Sequence, residues 1–365
     1  MLDPLYCRRR QRRLLDILVE RKLEVAVITS RPHVYWLTGH SPFWLHETAV
    51  LLRADGHLTL ISANSKADCA AADEVRSYPA NRFATQRMDQ PAVVADIVRD
   101  STNGSKRIGY DAGVPGSQLV GLYGKHSTAI DDSIHLLRRR KEPDELALMR
   151  KAIDCTRAMH ERARHIIEPG VSEITVYTEL HTAAVSEAGE PLSPAYLGND
   201  FVCGSGGGAP RANRPAKAGE IYILDIGPAY RGYFADNARA YAVDRKPTDV
   251  QLKTWEAITG VFPIIERMAK PGVRCHDLFD AGREHLRQKT GKVLDHHLGH
   301  GVGLFPHEYP HINPEWDDVL ETGDVFTIEP GLYGPEINGG IRLENQYLVT
   351  ETGVENLTPF PLALA

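Results

Sequence analysis

The chain has 365 residues, 42% hydrophobic and 25% charged, an ordinary composition for a globular protein and a length that suits about two domains of roughly 150 residues each. Its net charge of −6 argues against a nucleic-acid or anionic-membrane partner, since either needs a basic face, and no apolar run is long enough to span a bilayer. Five scattered cysteines (Cys7, Cys69, Cys155, Cys203 and Cys275), with no C-x-x-C pair among them, read as reduced thiols of a cytoplasmic protein, not as a disulfide frame or a thiolate metal site.

Taken in chain order, residues 4–22 are predicted helical. Leu14, Leu15, Ile17, Leu18 and Leu23 recur at helical spacing, and Arg8, Arg9, Arg10, Arg12 and Arg13 supply a basic outer face. No apolar segment follows these arginines, so no signal peptide is expected. Strands are predicted at 24–28, 48–53, 57–61 and 107–111, with Ala54-Asp55-Gly56 as a hairpin turn. The mixture predicts a small α/β domain over residues 1–135. It contains neither G-x-G-x-x-G nor a Walker motif, so a nucleotide role has no support. His40, Trp44 and His46 fall on a predicted loop, 38–47, that suits either a plain surface or the roof of an active site, including that of a partner subunit. Pro143, followed by Asp144 and Glu145, opens a helix running to about residue 167, and a second domain is read over 136–365. Further helices are predicted at 173–188, 249–268 and 276–290. The glycine-rich stretch 202–210 is read as a loop, open to a role beside a site or as a linker.

The second domain carries an internal echo. Gly219-Glu220-Ile221-Tyr222-Ile223-Leu224-Asp225-Ile226-Gly227 is repeated 104 residues later by Gly323-Asp324-Val325-Phe326-Thr327-Ile328-Glu329-Pro330-Gly331. Pro169-Gly170-Val171 is repeated 102 residues later by Pro271-Gly272-Val273. In each half a strand bearing one acid (Asp225, Glu329) is followed by a second acid-bearing strand (Asp236, Glu344), which reads as an acid-bearing hairpin. Two such halves related by a pseudo-twofold axis bring the four carboxylates together, and carboxylates crowded in one pocket need cations. Two divalent metal ions meet that need.

A histidine cluster follows, His296-His297-Leu298-Gly299-His300-Gly301-Val302-Gly303-Leu304-Phe305-Pro306-His307. Together with Thr327-Ile328-Glu329-Pro330-Gly331, Arg342-Leu343-Glu344-Asn345 and the eleven-residue spacing of Asp225 and Asp236, this segment resembles the pita-bread metallopeptidases, in their prolidase (Xaa-Pro dipeptidase) and aminopeptidase P branch. The resemblance implies an α+β fold class. A C-terminal pita-bread domain with pseudo-twofold duplicated halves follows a smaller α/β domain like the N-terminal domain of creatinase and prolidase. It implies Asp225, Asp236, His300, Glu329 and Glu344 as ligands of a dinuclear centre, with Asp236 and Glu344 bridging. Mn²⁺ is the expected ion, with Co²⁺, Zn²⁺ and Fe²⁺ also suited to this donor set. It further implies that a bridging hydroxide cleaves an Xaa-Pro dipeptide, that Glu329 moves the proton, that His307, His296 and Arg342 act on the substrate, and that the protein is a homodimer.

Three departures from the family pattern stand out. The loop Gly206–Asn213 lacks the usual histidine, for which His40 or His46 is a possible substitute. His311 stands where an arginine commonly grips the substrate carboxylate, and a neutral imidazole is the poorer clamp. Asn237-Ala238-Arg239 replaces the threonines that usually follow the second aspartate, so hydrogen bonds around that ligand are expected to change. Release of the first residue from longer Xaa-Pro peptides and hydrolysis of a related small amide are therefore alternatives. A metal-independent hydrolase of the creatinase type, or a non-catalytic binding module, would have no need of the five ligands.

Overall fold

A computed structural model describes residues 1–64, 70–111, 119, 127–192 and 198–365; Cys69 lies outside them. Two compact units divide the chain, Met1–Arg138 and Arg139–Ala365.

The first unit opens with the helix Pro4–Glu20. Asp3 caps it, accepting a hydrogen bond from the Leu5 N–H at 2.8 Å, and Pro4 takes the first position, where no N–H is needed. Cys7, Arg10, Gln11, Leu14 and Leu18 form its buried face. Arg10 therefore does not belong to the predicted basic surface. The helical period puts it on the side of Leu14, where its Nε donates to the Trp36 carbonyl at 2.7 Å. Trp36 lies in a short helix, Arg31–Thr38, that the sequence pattern did not mark, because six of its eight residues are buried and leave no polar face to define a period. The sheet of this unit runs in the order Glu74–Tyr78, Leu58–Ala63, Ala49–Arg53, Val25–Ile28, Ile108–Tyr110, Ser127–Ala129. The predicted turn joins its antiparallel pair Ala49–Arg53 and Leu58–Ala63. His40 and His46 sit between the short helix and that pair, with Phe43 edge-on to the His46 ring at 5.4 Å.

In the second unit the repeat is visible in the backbone. The first half has helices Pro143–Ile166 and Glu173–Ala188 and a three-stranded sheet of Gly198–Cys203, Ile221–Ile226 and Asn237–Ala242. Helices Asp249–Thr259, Phe262–Met268 and Cys275–Thr290 open the second half. A five-stranded sheet follows, ordered Glu308–Ile312, Gly299–Gly301, Val325–Ile328, Asn345–Val349, Val354–Asn356. Gly170 and Gly272 both have positive φ, and their N–H groups donate to the carbonyls of Ala216 and Leu320 at 2.8 and 2.9 Å. These partners are themselves separated by the 104-residue offset. The helix predicted at 249–268 is two helices. Pro263 has no N–H for the carbonyl of Thr259, and the chain turns at Gly260 and Val261.

Apolar residues bury in two cores, Met159, Leu180, Phe201, Tyr222 and Leu224 in one and Phe262, Leu278, Phe326, Ile341 and Tyr347 in the other, which Ile221, Ala240 and Ala242 of the first half also join. The glycine-rich loop is fastened to the first half by Glu173, an acid with no side-chain exposure. Glu173 accepts from the N–H groups of Cys203 (2.9 Å) and Arg211 (2.7 Å) and from the Arg211 guanidinium (2.6 and 3.0 Å). Glu173→Gln keeps the shape but removes the charge and turns one accepting oxygen into an NH₂ donor that faces the N–H groups it served. It is expected to lower stability by about 1–3 kcal/mol in urea unfolding, with the m-value unchanged.

Candidate metal centre

The paired strands meet where their regularity fails. Asp225 is the next-to-last residue of the strand Ile221–Ile226, directly opposite Ala238 on one side and Asp200 on the other. Asp236 directly precedes Asn237–Ala242, Glu329 directly follows Val325–Ile328, and Glu344 stands between Gly339–Arg342 and Asn345–Val349. Three of the four acids thus occupy breaks, where the backbone is free of ladder geometry and can turn the carboxylates inward. Cross-links between the halves fix the breaks. The Glu344 N–H donates to the Ala238 carbonyl at 2.9 Å, the Asn237 amide donates to the Glu344 carbonyl at 2.5 Å, and the Asp236 N–H donates to the Gln346 side chain at 3.3 Å. Arg239, fully buried, also donates to the Glu344 carbonyl. The unusual Asn237-Ala238-Arg239 sequence therefore holds the backbone of Glu344.

His300 comes from Gly299–Gly301. A side chain on Gly299 or Gly301 would collide with the carbonyl of Thr327 or Tyr309, so only glycine lets the neighbouring strands close on this histidine. Its Nδ1 meets the Gly301 carbonyl at 3.0 Å, leaving Nε2 3.3 Å from Glu329 and 3.8 Å from Asp236. The Thr327 hydroxyl donates to Glu329 at 3.3 Å and accepts the His300 N–H at 3.2 Å. Donor atoms of Asp236, His300 and Glu344 lie within 4.8 Å of one another, as do those of His297, His300 and Glu329. The five predicted ligands are all buried.

The electrostatics mark the crowding. Burial first, then the charges of Asp225 and Glu329, push the Asp236 carboxyl well above its ordinary value. Burial, with Asp236 and Glu329, does the same to Glu344. Burial works against ionisation of Glu329 too, but the hydrogen bond and charge of His300 hold it well below the usual range. Asp225 Oδ1, Asp236 Oδ1 and both oxygens of Glu344 are buried without a hydrogen-bond donor. Carboxylate oxygens left this way are costly unless a cation meets them, so these residues fit divalent metal ions.

Of the remaining predicted residues, His307 stacks on His300 with ring centroids 3.6 Å apart, and burial with the neighbouring histidines lowers its pKa to about 4. His296 meets the Tyr333 hydroxyl through Nε2 at 3.0 Å. Arg342 donates to Asp225 at 2.6 Å, to Tyr333 at 3.0 Å and to Asp200. His311 is not drawn into this group. Its Nδ1 lies 2.7 Å from Asp318 and its ring stacks on Trp316. Sequence reasoning missed His297, 3.4 Å from Glu329, although it lay inside the quoted cluster. It also missed Tyr333 and Asp200. Asp200 carried a readable signal, an acid in the short apolar strand Gly198–Cys203, the same anomaly that singled out Asp225.

Residues 147–351, more than half of the chain, match the model of metallopeptidase family M24. The chain belongs to metallopeptidase family M24. Residues 10–130 match the creatinase/prolidase N-terminal domain. Among M24 relatives, an Xaa-Pro dipeptidase of Pyrococcus horikoshii is 25% identical over 95% of this chain and 96% of its own length. An uncharacterised peptidase of Bacillus subtilis is 30% identical over 72% and 75%. The crystal structure of the Pyrococcus horikoshii prolidase superposes with a TM-score of 0.82 at 23% identity, over 98% of this chain and all of that one. The fold is the pita-bread fold preceded by a creatinase-type N-terminal domain, and the M24 membership makes the protein a metallopeptidase. Among the described residues no helix is long and apolar enough to cross a membrane.

Proposed function

We propose that this M24 protein hydrolyses the amide bond of Xaa-Pro dipeptides, with two divalent metal ions held by Asp225, Asp236, His300, Glu329 and Glu344. The observation that carries this reading is the set of buried, donorless carboxylate oxygens on Asp225, Asp236 and Glu344, in a chain aligned nearly end to end with an Xaa-Pro dipeptidase. Hard oxygen donors with one imidazole suit Mn²⁺, the ion we favour, and also Co²⁺, Zn²⁺ or Fe²⁺.

Bound there, such ions supply the Lewis acidity that activates water and polarises the scissile carbonyl. Glu329, to which the Thr327 hydroxyl donates, accepts the proton that the attacking water loses and hands it to the prolyl nitrogen, which leaves only when protonated. His307 is kept neutral by burial and has one N–H to donate to the oxygen that gains charge. His296 and Arg342, joined through the Tyr333 hydroxyl, form the side of the site on which we place the substrate.

His311 favours a second reading. Its ring is engaged by Asp318 and Trp316, so a grip on a dipeptide's C-terminal carboxylate falls to other groups, and longer Xaa-Pro peptides or a related amide become the substrate. The test is hydrolysis of Ala-Pro and Ala-Pro-Ala by chelated protein reloaded with Mn²⁺, Co²⁺ or Zn²⁺ singly. Metal-restored cleavage of Ala-Pro is the expected result. Cleavage of the tripeptide alone moves the assignment to an aminopeptidase, and cleavage of neither removes Xaa-Pro bonds as the substrate.

We also propose a cytoplasmic homodimer. The four described cysteines are free and buried, which supports a reducing compartment, and sedimentation gives the subunit number.

A further inference from the structure

Asp200 is a buried carboxylate at the centre that belongs to no predicted ligand set. It lies across the strand pair from Asp225, so both side chains leave the same face of the sheet. Its Oδ1 accepts the Gly208 N–H at 2.5 Å and its Oδ2 takes the Arg342 guanidinium. The glycine-rich loop is shaped to allow this, because a side chain on Gly207 would begin 2.8 Å from Asp200 Oδ1. Both oxygens are thereby engaged by protein donors. Asp200 is thus unsuited to be a sixth ligand, and its partner defines its role.

That partner is a cation where a metal site can least accommodate one. Arg342 donates to Asp225 Oδ2 at 2.6 Å, and its Nε lies 3.8 Å from Glu329. The four ligand carboxylates carry a formal charge of −4, matching two divalent ions. A guanidinium paired only with Asp225 would cancel part of that charge. Asp200 cancels the guanidinium instead and leaves the ligand set at its full charge. At short range in a buried site such a difference weighs heavily on cation binding.

We infer that Asp200 is the counter-ion of Arg342, a positioning residue that stops the guanidinium from neutralising Asp225 and so preserves metal affinity. This rests on the two-metal reading above. The probe is Mn²⁺ alone, titrated into chelated protein with free Mn²⁺ read by electron paramagnetic resonance. Wild type is expected to bind two ions per subunit, and Asp200→Asn is expected to weaken at least one of them ~10-fold or more. In an Arg342→Gln background the same Asp200→Asn change is expected to shift affinity by less than ~3-fold, since no cation remains to be balanced. Unchanged Mn²⁺ affinity in Asp200→Asn overturns the inference, and so does an equal loss in both backgrounds, which would make Asp200 act on the ions directly. Circular dichroism checks folding. Where Asp200→Asn alone does not fold, the double variant against Arg342→Gln carries the test by itself, and a ~10-fold gap between those two overturns the inference. Wild type that binds no Mn²⁺ overturns the two-metal reading instead, whatever Asp200 does.

Discussion

Glu344→Gln is expected to abolish hydrolysis, by at least ~10³-fold, while making the metal-free protein more stable. The two effects have one cause. Neither oxygen of Glu344 has a donor, and burial together with Asp236 and Glu329 pushes its carboxyl well above the ordinary value. Without metal, the folded state therefore strains against the charge, and an uncharged amide of the same shape relieves about 1–3 kcal/mol of it. With metal, the same charge is what the proposed ions bind, and their binding stabilises the folded state by mass action. Thermal unfolding with and without Mn²⁺ is the check. The wild-type melting temperature should rise with Mn²⁺. That of Glu344→Gln should start higher and respond less. A variant less stable than wild type in the absence of metal would mean that Glu344 is satisfied by groups within the protein and has no need of a cation.

Arg239→Leu is expected to cost about 3–5 kcal/mol of stability, the largest loss at any position discussed. Arg239 is 1% exposed and spends its donors on the carbonyls of Ala238, Glu344, Thr358, Phe360 and Pro361 and on the Asn345 side chain. Burial lowers its pKa to about 10, so it remains charged at neutral pH. Leucine leaves several of those carbonyls buried without donors, each worth about 1–3 kcal/mol, while relief from burying a cation offsets part of the sum. Because the guanidinium also holds the Glu344 backbone, metal affinity should fall with stability. Arg239→Lys should recover little, since one ammonium group cannot span acceptors fanned over residues 238, 344 and 358–361. Chemical denaturation and Mn²⁺ titration of both variants make the check, and a full rescue by lysine would show that charge, not the spread of donors, is what matters.

Much of this could be read directly from the chain. An acid inside an apolar run is anomalous whatever surrounds it. The anomaly at Asp225 recurs 104 residues later at Glu329, each followed by a second acid, Asp236 or Glu344, and this marked the four as one group. The histidine cluster with its glycines added His300. The backbone bears out the duplication, since the glycine turns and the carbonyls that fasten them repeat at the same offsets. Local signals of this kind survive because period, turn chemistry and charge are written within a few residues of one another.

What only the tertiary structure decided involves partners far apart in sequence. That Arg10 is core and not surface depends on a carbonyl 26 residues away. The breaks at Asp236 and Glu344 are held by hydrogen bonds between the two halves, and the one at Glu329 by the Leu298 carbonyl. The link from Asn237 and Arg239 to Glu344, more than 100 residues on, makes a departure from the family pattern into a support for the site. His311 reads as a substrate residue by position, yet the turn that follows its strand gives it Asp318 and Trp316. Asp200 and Arg342 are 142 residues apart, and no local pattern can show that one carboxylate is reserved for a cation while its neighbour across the strands is left open for a metal ion. Sequence sets which charges exist. The fold sets which of them meet, and in a buried site of low dielectric that decides what each can do.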